Sequence, residues 1–285
     1  MFEIILEALE HTFFRNALLG GLLASIISSL LSLFIIERDL SFAGVGIAHC
    51  TFGGLALGVV SGVDPVLSGA GFGLAVALGI GGVTETSKIT ADAAIGIAFA
   101  ASMAFGVILI SASSAVYYGE LFSYLFGNIL TISTRDLYSL ALLTAAIGGF
   151  IGYYFKDLLF FCVNKEMATA HGVPTKLLHY GLLCSIALTV VMTVRLVGIV
   201  LAAGLLVIPA ATGKQISSHY RGILLTAVLS STVSMIGGIS LSYAAGLPSG
   251  ATVVMCASVI FFLAVLLAKV RVGSERYGGT KTRND

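Results

Sequence analysis

Long apolar blocks, broken by short polar turns, run the length of this chain. A helix needs about 20 apolar residues to cross the hydrocarbon core of a bilayer. Nine blocks of that kind are predicted, at residues 17–36, 42–60, 66–83, 93–111, 137–155, 177–194, 196–212, 223–245 and 251–268. Charged or kinked turns close several of them: Glu37-Arg38-Asp39, Asp64-Pro65, and the pair Glu85 and Lys88. Residues 117–134 are apolar but interrupted by Gly119, Glu120, Gly127 and Asn128, which predicts a short interfacial or re-entrant helix. Residues 1–16 mix Glu3, Glu7, Glu10, His11 and Arg15 with apolar positions. They suit either an amphipathic helix lying in an interface or the start of the first span.

One stretch breaks the pattern. Residues 155–176 form a long polar island between apolar blocks, carrying Lys156, Asp157, Lys165, Glu166, His171 and Lys176, with Gly172 and Pro174 as breakers. Such a segment belongs at a membrane face, and its three lysines (Lys156, Lys165, Lys176) place that face in the cytoplasm. Within it, residues 164–170 are expected to form a short helix that Gly172 and Pro174 terminate. The tail 269–285, with Lys269, Arg271, Arg276, Lys281 and Arg283, is also assigned to the cytoplasm. Four crossings between island and tail return the chain to the same side. Counting back gives nine spans and an external N-terminus, or eight and an internal one if one block only dips into the bilayer. The expectation is an all-α polytopic membrane protein of eight or nine transmembrane helices. It is a single transmembrane domain over residues 1–285, with a cytoplasmic segment at 156–176 and a cytoplasmic tail at 269–285.

Composition agrees. The chain is 58% hydrophobic and 10% charged, against about 25% charged for a soluble domain. Its net charge of +1 offers no broad basic surface for nucleic acid. Cys50, Cys162, Cys184 and Cys256 are far apart and read as small buried residues rather than a zinc knuckle or disulfide framework. Glutamates ahead of the first apolar run argue against a cleaved signal peptide. Small-xxx-small spacings at Gly54/Gly58, Gly69/Gly73, Gly148/Gly152 and Gly246/Gly250 permit close helix crossing. Block 196–212 is short and closes on Ile208-Pro209, suiting a cavity-lining interrupted helix or an ordinary span ended by proline.

Candidate chemistry is sparse. His49 lies inside the second block, where an ionisable group needs a cavity or a partner. It reads either as a structural hydrogen-bonded histidine or as a pathway ligand for zinc, manganese or iron. Cys50 is about 100° away round the helix, so the two need not act together; Thr51 and Ser41 are possible oxygen contacts. Asp64, Glu120, Arg135 and Asp136 group on the external face in this topology, open to solvation, an ion or a delivering protein. Glu85, Lys88 and Asp92 suggest a local salt bridge near the cytoplasmic mouth. There is no P-loop, no HExxH and no GxSxG, so neither nucleotide binding nor an enzymatic centre is expected in this chain.

The stretches ERDLSFAGVGIAHCTFGGLALG, ADAAIGIAFA, LFGNILTIS, NKEMATAHGVP and TVRLVGIVLAAGLLVIPAATG together resemble the permease subunits of bacterial and archaeal ABC importers for zinc, manganese and iron(II). The resemblance implies a type II importer-like permease in the cell membrane, paired with a second permease copy as a homodimer or with a similar permease. A separate ATPase subunit binds ATP, and an extracytoplasmic binding protein delivers a divalent metal. The island then matches the coupling helix, with Lys165, Glu166, Met167, Ala168, His171 and Gly172 near the ATPase. His49 matches the family's pathway histidine, and the chain carries no cofactor of its own. One position departs: many members have an Asp one helical turn before the histidine, where this chain has Val45. Two other classes remain open, a carrier or channel acting alone and an ABC permease for a chelated metal.

Overall fold

The computed structural model describes residues 10–113 and 132–278. Among these residues the chain is helical throughout, with no strand. The helices are α1 (Thr12–Glu37), α2 (Ala43–Ser61), α3 (Pro65–Thr86), α4 (Ala91–Ala112), α5 (Thr134–Tyr153), α6 (Phe155–Val163), α7 (Lys165–Ala170), α8 (Thr175–Val197), α9 (Ile199–Ile216), α10 (Tyr220–Ala245) and α11 (Ser249–Gly278). Nine of these are long and apolar enough to cross a membrane, and α6 and α7 are the short exceptions. The protein is a multi-pass membrane protein whose spans fall where the apolar blocks predict them.

Three boundaries differ from expectation. The block 196–212 begins at Ile199, after Gly198 (φ +87°), and runs on to Ile216 with Pro209 inside the helix. A proline there removes one backbone donor, which a packed membrane helix tolerates; Pro209 is buried, and α9 is continuous. Thr12 already lies in α1, and Phe14 is fully buried, so residues 12–16 belong to the first span. Residues 1–9, and most of the interfacial helix expected at 117–134, lie outside the described residues, while Thr134 opens α5.

Helices in lipid gain nothing from hiding apolar surface from each other, so close backbone approach must hold them together. Glycine supplies it here. A Cβ on Gly54 would sit 2.5 Å from Phe72 Cβ and 2.9 Å from Gly69 Cα, and one on Gly58 would sit 2.8 Å from Pro65 Cα. On the other side of α2, a Cβ on Gly53 would meet the Ser102 carbonyl oxygen at 2.7 Å. α2 is thus clasped between α3 and α4. A second group joins α1 to α9 and α10, and those two to α11. There a Cβ on Gly213 would lie 2.5 Å from the Ile223 carbonyl oxygen, and one on Gly238 2.5 Å from Val253 Cα. Ser231 Oγ of α10 also donates to the Ser25 carbonyl of α1 (3.4 Å). α8 packs between the two groups, on α3, α2, α9 and α1. The outer helices present large apolar side chains outward: Leu67 of α3, Ile97 of α4, Leu142 of α5 and Leu267 of α11 are all more than half exposed. In water such a surface would be costly, whereas in lipid it is the expected one.

Contacts between chain-distant residues sort the bundle into two ends. At one end Lys214 Nζ pairs with Glu37 (2.9 Å), Lys165 Nζ with Glu85 (3.7 Å), and the Arg38 guanidinium lies 4.4 Å over the Phe161 ring. At the other, Asn16 Nδ2 donates to the Ile132 carbonyl (3.0 Å) and Phe14 packs on Tyr243 (ring centroids 5.2 Å). The polar island, the α1–α2 turn, the end of α3 and the end of α9 therefore share one end. The first described residues lie at the opposite end. That matches the nine-span count and not the eight-span alternative.

Candidate coupling element and metal path

The island folds as α6 and α7, hung beneath the spans. In α6, Leu158, Phe161 and Cys162 turn into the core, while Lys156 and Val163 face out. Burial pushes the Cys162 thiol up to about 12; the nearby Arg38 pulls the other way and Glu37 adds to the rise. α7 is six residues long and is held by its ends. The Asn164 side chain accepts from the Met167 N–H (2.8 Å), capping the start. At the far end Gly172 adopts φ +79°, a left-handed conformation that other residues rarely take, and Val173 N–H donates to the Ala168 carbonyl (3.1 Å). Pro174 follows, and α8 starts at once. The predicted short helix and its glycine stop are both present.

The residues matched to the coupling helix do not all face the same way. Glu166, Met167, His171 and Gly172 are exposed. His171 is held in place by Nδ1 against the Met167 carbonyl (2.8 Å) and by its ring against Phe160 (centroids 5.5 Å). Lys165 is half-buried and reaches back to Glu85. Ala168 is fully buried in the core, so its side chain anchors α7 and offers no surface to a partner. A residue outside the matched set joins the exposed face: Val163, 79% exposed, beside Met167 at 53%. The sequence signal for it was an apolar residue directly before the polar cap Asn164.

His49 sits six residues into α2, about 9 Å along the helix from its start. Its imidazole is half-buried, with its edge against Phe99 of α4 (centroids 5.1 Å, 62° between planes). It makes no hydrogen bond among the described residues. Cys50 is fully buried on another face, and Thr51 Oγ1 is spent on the Ile47 carbonyl (2.9 Å). α2 is otherwise mostly buried, yet Phe42, Val45, His49 and Val60 along one side keep some exposure. His49 is the polar member of that strip, and Val45 supplies no second ligand. No group of three or more His, Cys, Asp or Glu residues stands close enough to hold a metal ion among the described residues.

Both aspartates of the group expected on the external face cap helices. Asp64 accepts from Val66 N–H (2.8 Å) and Leu67 N–H (3.1 Å) to cap α3. Ser133 and Asp136 form a reciprocal capping box at the start of α5. Glu120 lies outside the described residues. Glu85 meets Lys165 rather than its sequence neighbour Lys88.

The model of the ABC 3 transport family matches residues 10–268. The chain is 35% identical over 266 residues to the manganese transport system membrane protein MntC of Listeria monocytogenes, covering 93% of this chain and 94% of that one. It is 28% identical over 280 residues to the chelated iron transport system membrane protein YfeD of Yersinia pestis, covering 97% and 92%. Among solved structures, PsaBC from Streptococcus pneumoniae in complex with Fab superposes with a TM-score of 0.80 at 29% identity, covering 92% of this chain and 94% of that chain.

Proposed function

From its membership of the ABC 3 transport family, to which this chain belongs, we infer that it is the membrane-spanning permease subunit of an ATP-driven importer for a divalent metal ion. The observation that carries this is α7 with the end of α6. A capped, six-residue helix hangs outside the spans and exposes Met167, Val163, Glu166 and His171 together. Exposed apolar side chains outside the hydrocarbon, framed by charge, suit a protein partner. An ATPase subunit is the partner that an importer permease needs at that position. The distribution of basic residues supports a cytoplasmic assignment of this end. Arg38, Lys88, Lys156, Lys165, Lys176, Lys214, Arg221 and Lys269 lie at it, against Arg15, Arg135 and Arg195 at the other.

Transport follows from the geometry of α2. An imidazole left partly exposed to lipid is costly, so the strip Val45–His49 needs a cover. A second permease copy against this strip makes a path between the two chains and puts one imidazole from each beside it. A metal held by so few ligands binds weakly and leaves quickly, as a permeating ion must. A binding protein on the external face delivers the metal, and hydrolysis in the ATPase alternates the path between the two sides. The test is uptake by the chain reconstituted with its ATPase, with manganese, zinc and iron(II) in competition. ATP-dependent uptake is expected. Uptake by this chain alone, without ATP, would establish a carrier in its place.

A further inference from the structure

We propose that Glu85 is the positioning residue that ties the coupling helix α7 to the His49 helix, so that movement of the ATPase reaches the metal path through α3. The proposal rests on the reading of α7 as the ATPase-facing element, and adds the link that the reading lacks.

Glu85 stands at the end of α3, and each oxygen of its carboxylate has a different partner. Oε1 lies 3.7 Å from Lys165 Nζ, the first residue of α7, and Oε2 accepts from the Tyr180 hydroxyl of α8 at 3.3 Å. One side chain therefore bridges three helices. The Glu85 side chain is 18% exposed and that of Lys165 35%, so the pair is shielded from solvent mainly on its carboxylate side. The neighbouring residues repeat the join. Thr84 Oγ1 donates to its own helix at the Ile80 carbonyl (2.9 Å), leaving a lone pair for His179 Nε2 at 3.3 Å. Gly81, one turn earlier, makes room for the Tyr180 ring, which a Cβ there would meet at 2.7 Å.

From Glu85 the connection to His49 is stiff. α3 meets α2 at Gly54, Gly58, Gly69 and Pro65 with almost no side chain between the backbones. Such a contact has no flexible atoms to absorb a displacement, so α2 and α3 move as one body. α7 is otherwise joined to the spans through the buried, apolar Ala168, through the Thr169–Thr175 hydroxyl pair (3.0 Å) to the start of α8, and through the turns at its two ends. Among the described residues, the ion pair with Glu85 is the charged contact that reaches α7 from a helix distant in sequence. When α7 shifts, Glu85 pulls α3, and α3 carries α2 and His49 with it.

The test uses the full chain with its ATPase subunit in proteoliposomes and Mn2+ as the probe, following uptake and ATP hydrolysis in parallel. Glu85→Gln is expected to lower uptake about 5-fold or more, the range of an ordinary allosteric coupling, while ATP hydrolysis continues. Exchanging the charges (Glu85→Lys with Lys165→Glu) is expected to restore part of that uptake. Equal uptake by parent and Glu85→Gln overturns the proposal. So does a parallel fall in uptake and hydrolysis that the exchanged pair does not relieve. A second readout needs no transport: amide hydrogen exchange in residues 165–173 of the purified chain should quicken in Glu85→Gln, and unchanged exchange also overturns the link. If the parent complex shows no ATP-driven uptake, the importer reading fails, and the exchange measurement still decides whether Glu85 holds α7.

Discussion

Replacing Gly54 by alanine tests the rigid α2–α3 contact directly. The added Cβ would lie 2.5 Å from Phe72 Cβ, 2.9 Å from Gly69 Cα and 3.0 Å from the Ser68 carbonyl oxygen. Ordinary contact needs at least 3.4 Å, and two of these three atoms are backbone, so no rotamer change relieves them. The helices must part by several tenths of an ångström along the crossing. Overpacking of this kind costs about 3 kcal/mol at the upper end, and the better helix propensity of alanine returns about 1 kcal/mol. The net loss is about 2 kcal/mol. For a chain of this size that lowers the melting temperature by about 4–8 °C. The control is Gly71→Ala on α3, where a Cβ would meet nothing within 4 Å; it should melt at or slightly above the parent. Thermal unfolding of both variants in detergent, followed by loss of the monodisperse peak, makes the comparison. If Gly54→Ala is as stable as Gly71→Ala, the helices are not in the tight contact described, and the argument that α2 and α3 move together falls with it.

Further predictions bear on the site. His49→Ala should lower the maximal rate of ATP-driven metal uptake with assembly and melting temperature unchanged, as judged by transport and size-exclusion measurements; parental kinetics would leave His49 without a part in the path. Met167→Asp should weaken co-purification of the ATPase subunit, because it puts charge on the exposed apolar face, whereas Lys156→Gln, on the neighbouring helix α6, should not. Cys162 should resist maleimide at neutral pH, since a thiol raised to about 12 holds almost no thiolate there. Its folded value lies above the ordinary 9.0, so the stability it contributes is complete below about pH 9 and is lost as pH rises toward 12. Alkaline melting curves of the parent and Cys162→Ala should therefore converge over that range. Breaking the Lys214–Glu37 pair by Lys214→Gln should change stability by less than about 1 kcal/mol, because both side chains are about one-third exposed.

How much of this was legible in the sequence depends on the kind of feature. Spans were, because crossing hydrocarbon demands a length of apolar chain that little else produces, and the blocks fall within about five residues of α1–α5 and α8–α10, while α11 runs ten residues past its block to Gly278. The short helix α7 was also legible, because Asn164, Gly172 and Pro174 are local signals with local consequences. Partners across the bundle were not. Glu85 and Lys165 are 80 positions apart in the chain, and Glu85 has Lys88 three residues away as a more obvious partner. The direction of Ala168 was equally hidden, since nothing local says which side of a six-residue helix meets the core. The glycine pairs show the limit most clearly. Gly54/Gly58 and Gly69/Gly73 have the same spacing as Gly148/Gly152, yet the first two pairs face neighbouring helices and the last has open space around both members. The fourth pair divides: Gly246 ends α10 with φ +66°, and Gly250 lies against the Val197 carbonyl oxygen. Spacing marks where a helix could come close; only the arrival of another backbone makes the glycine necessary. That is why the stiff element of this bundle is α2 with α3, where His49 is, and why the open Gly148/Gly152 face of α5 leaves a surface that lipid or another chain can cover.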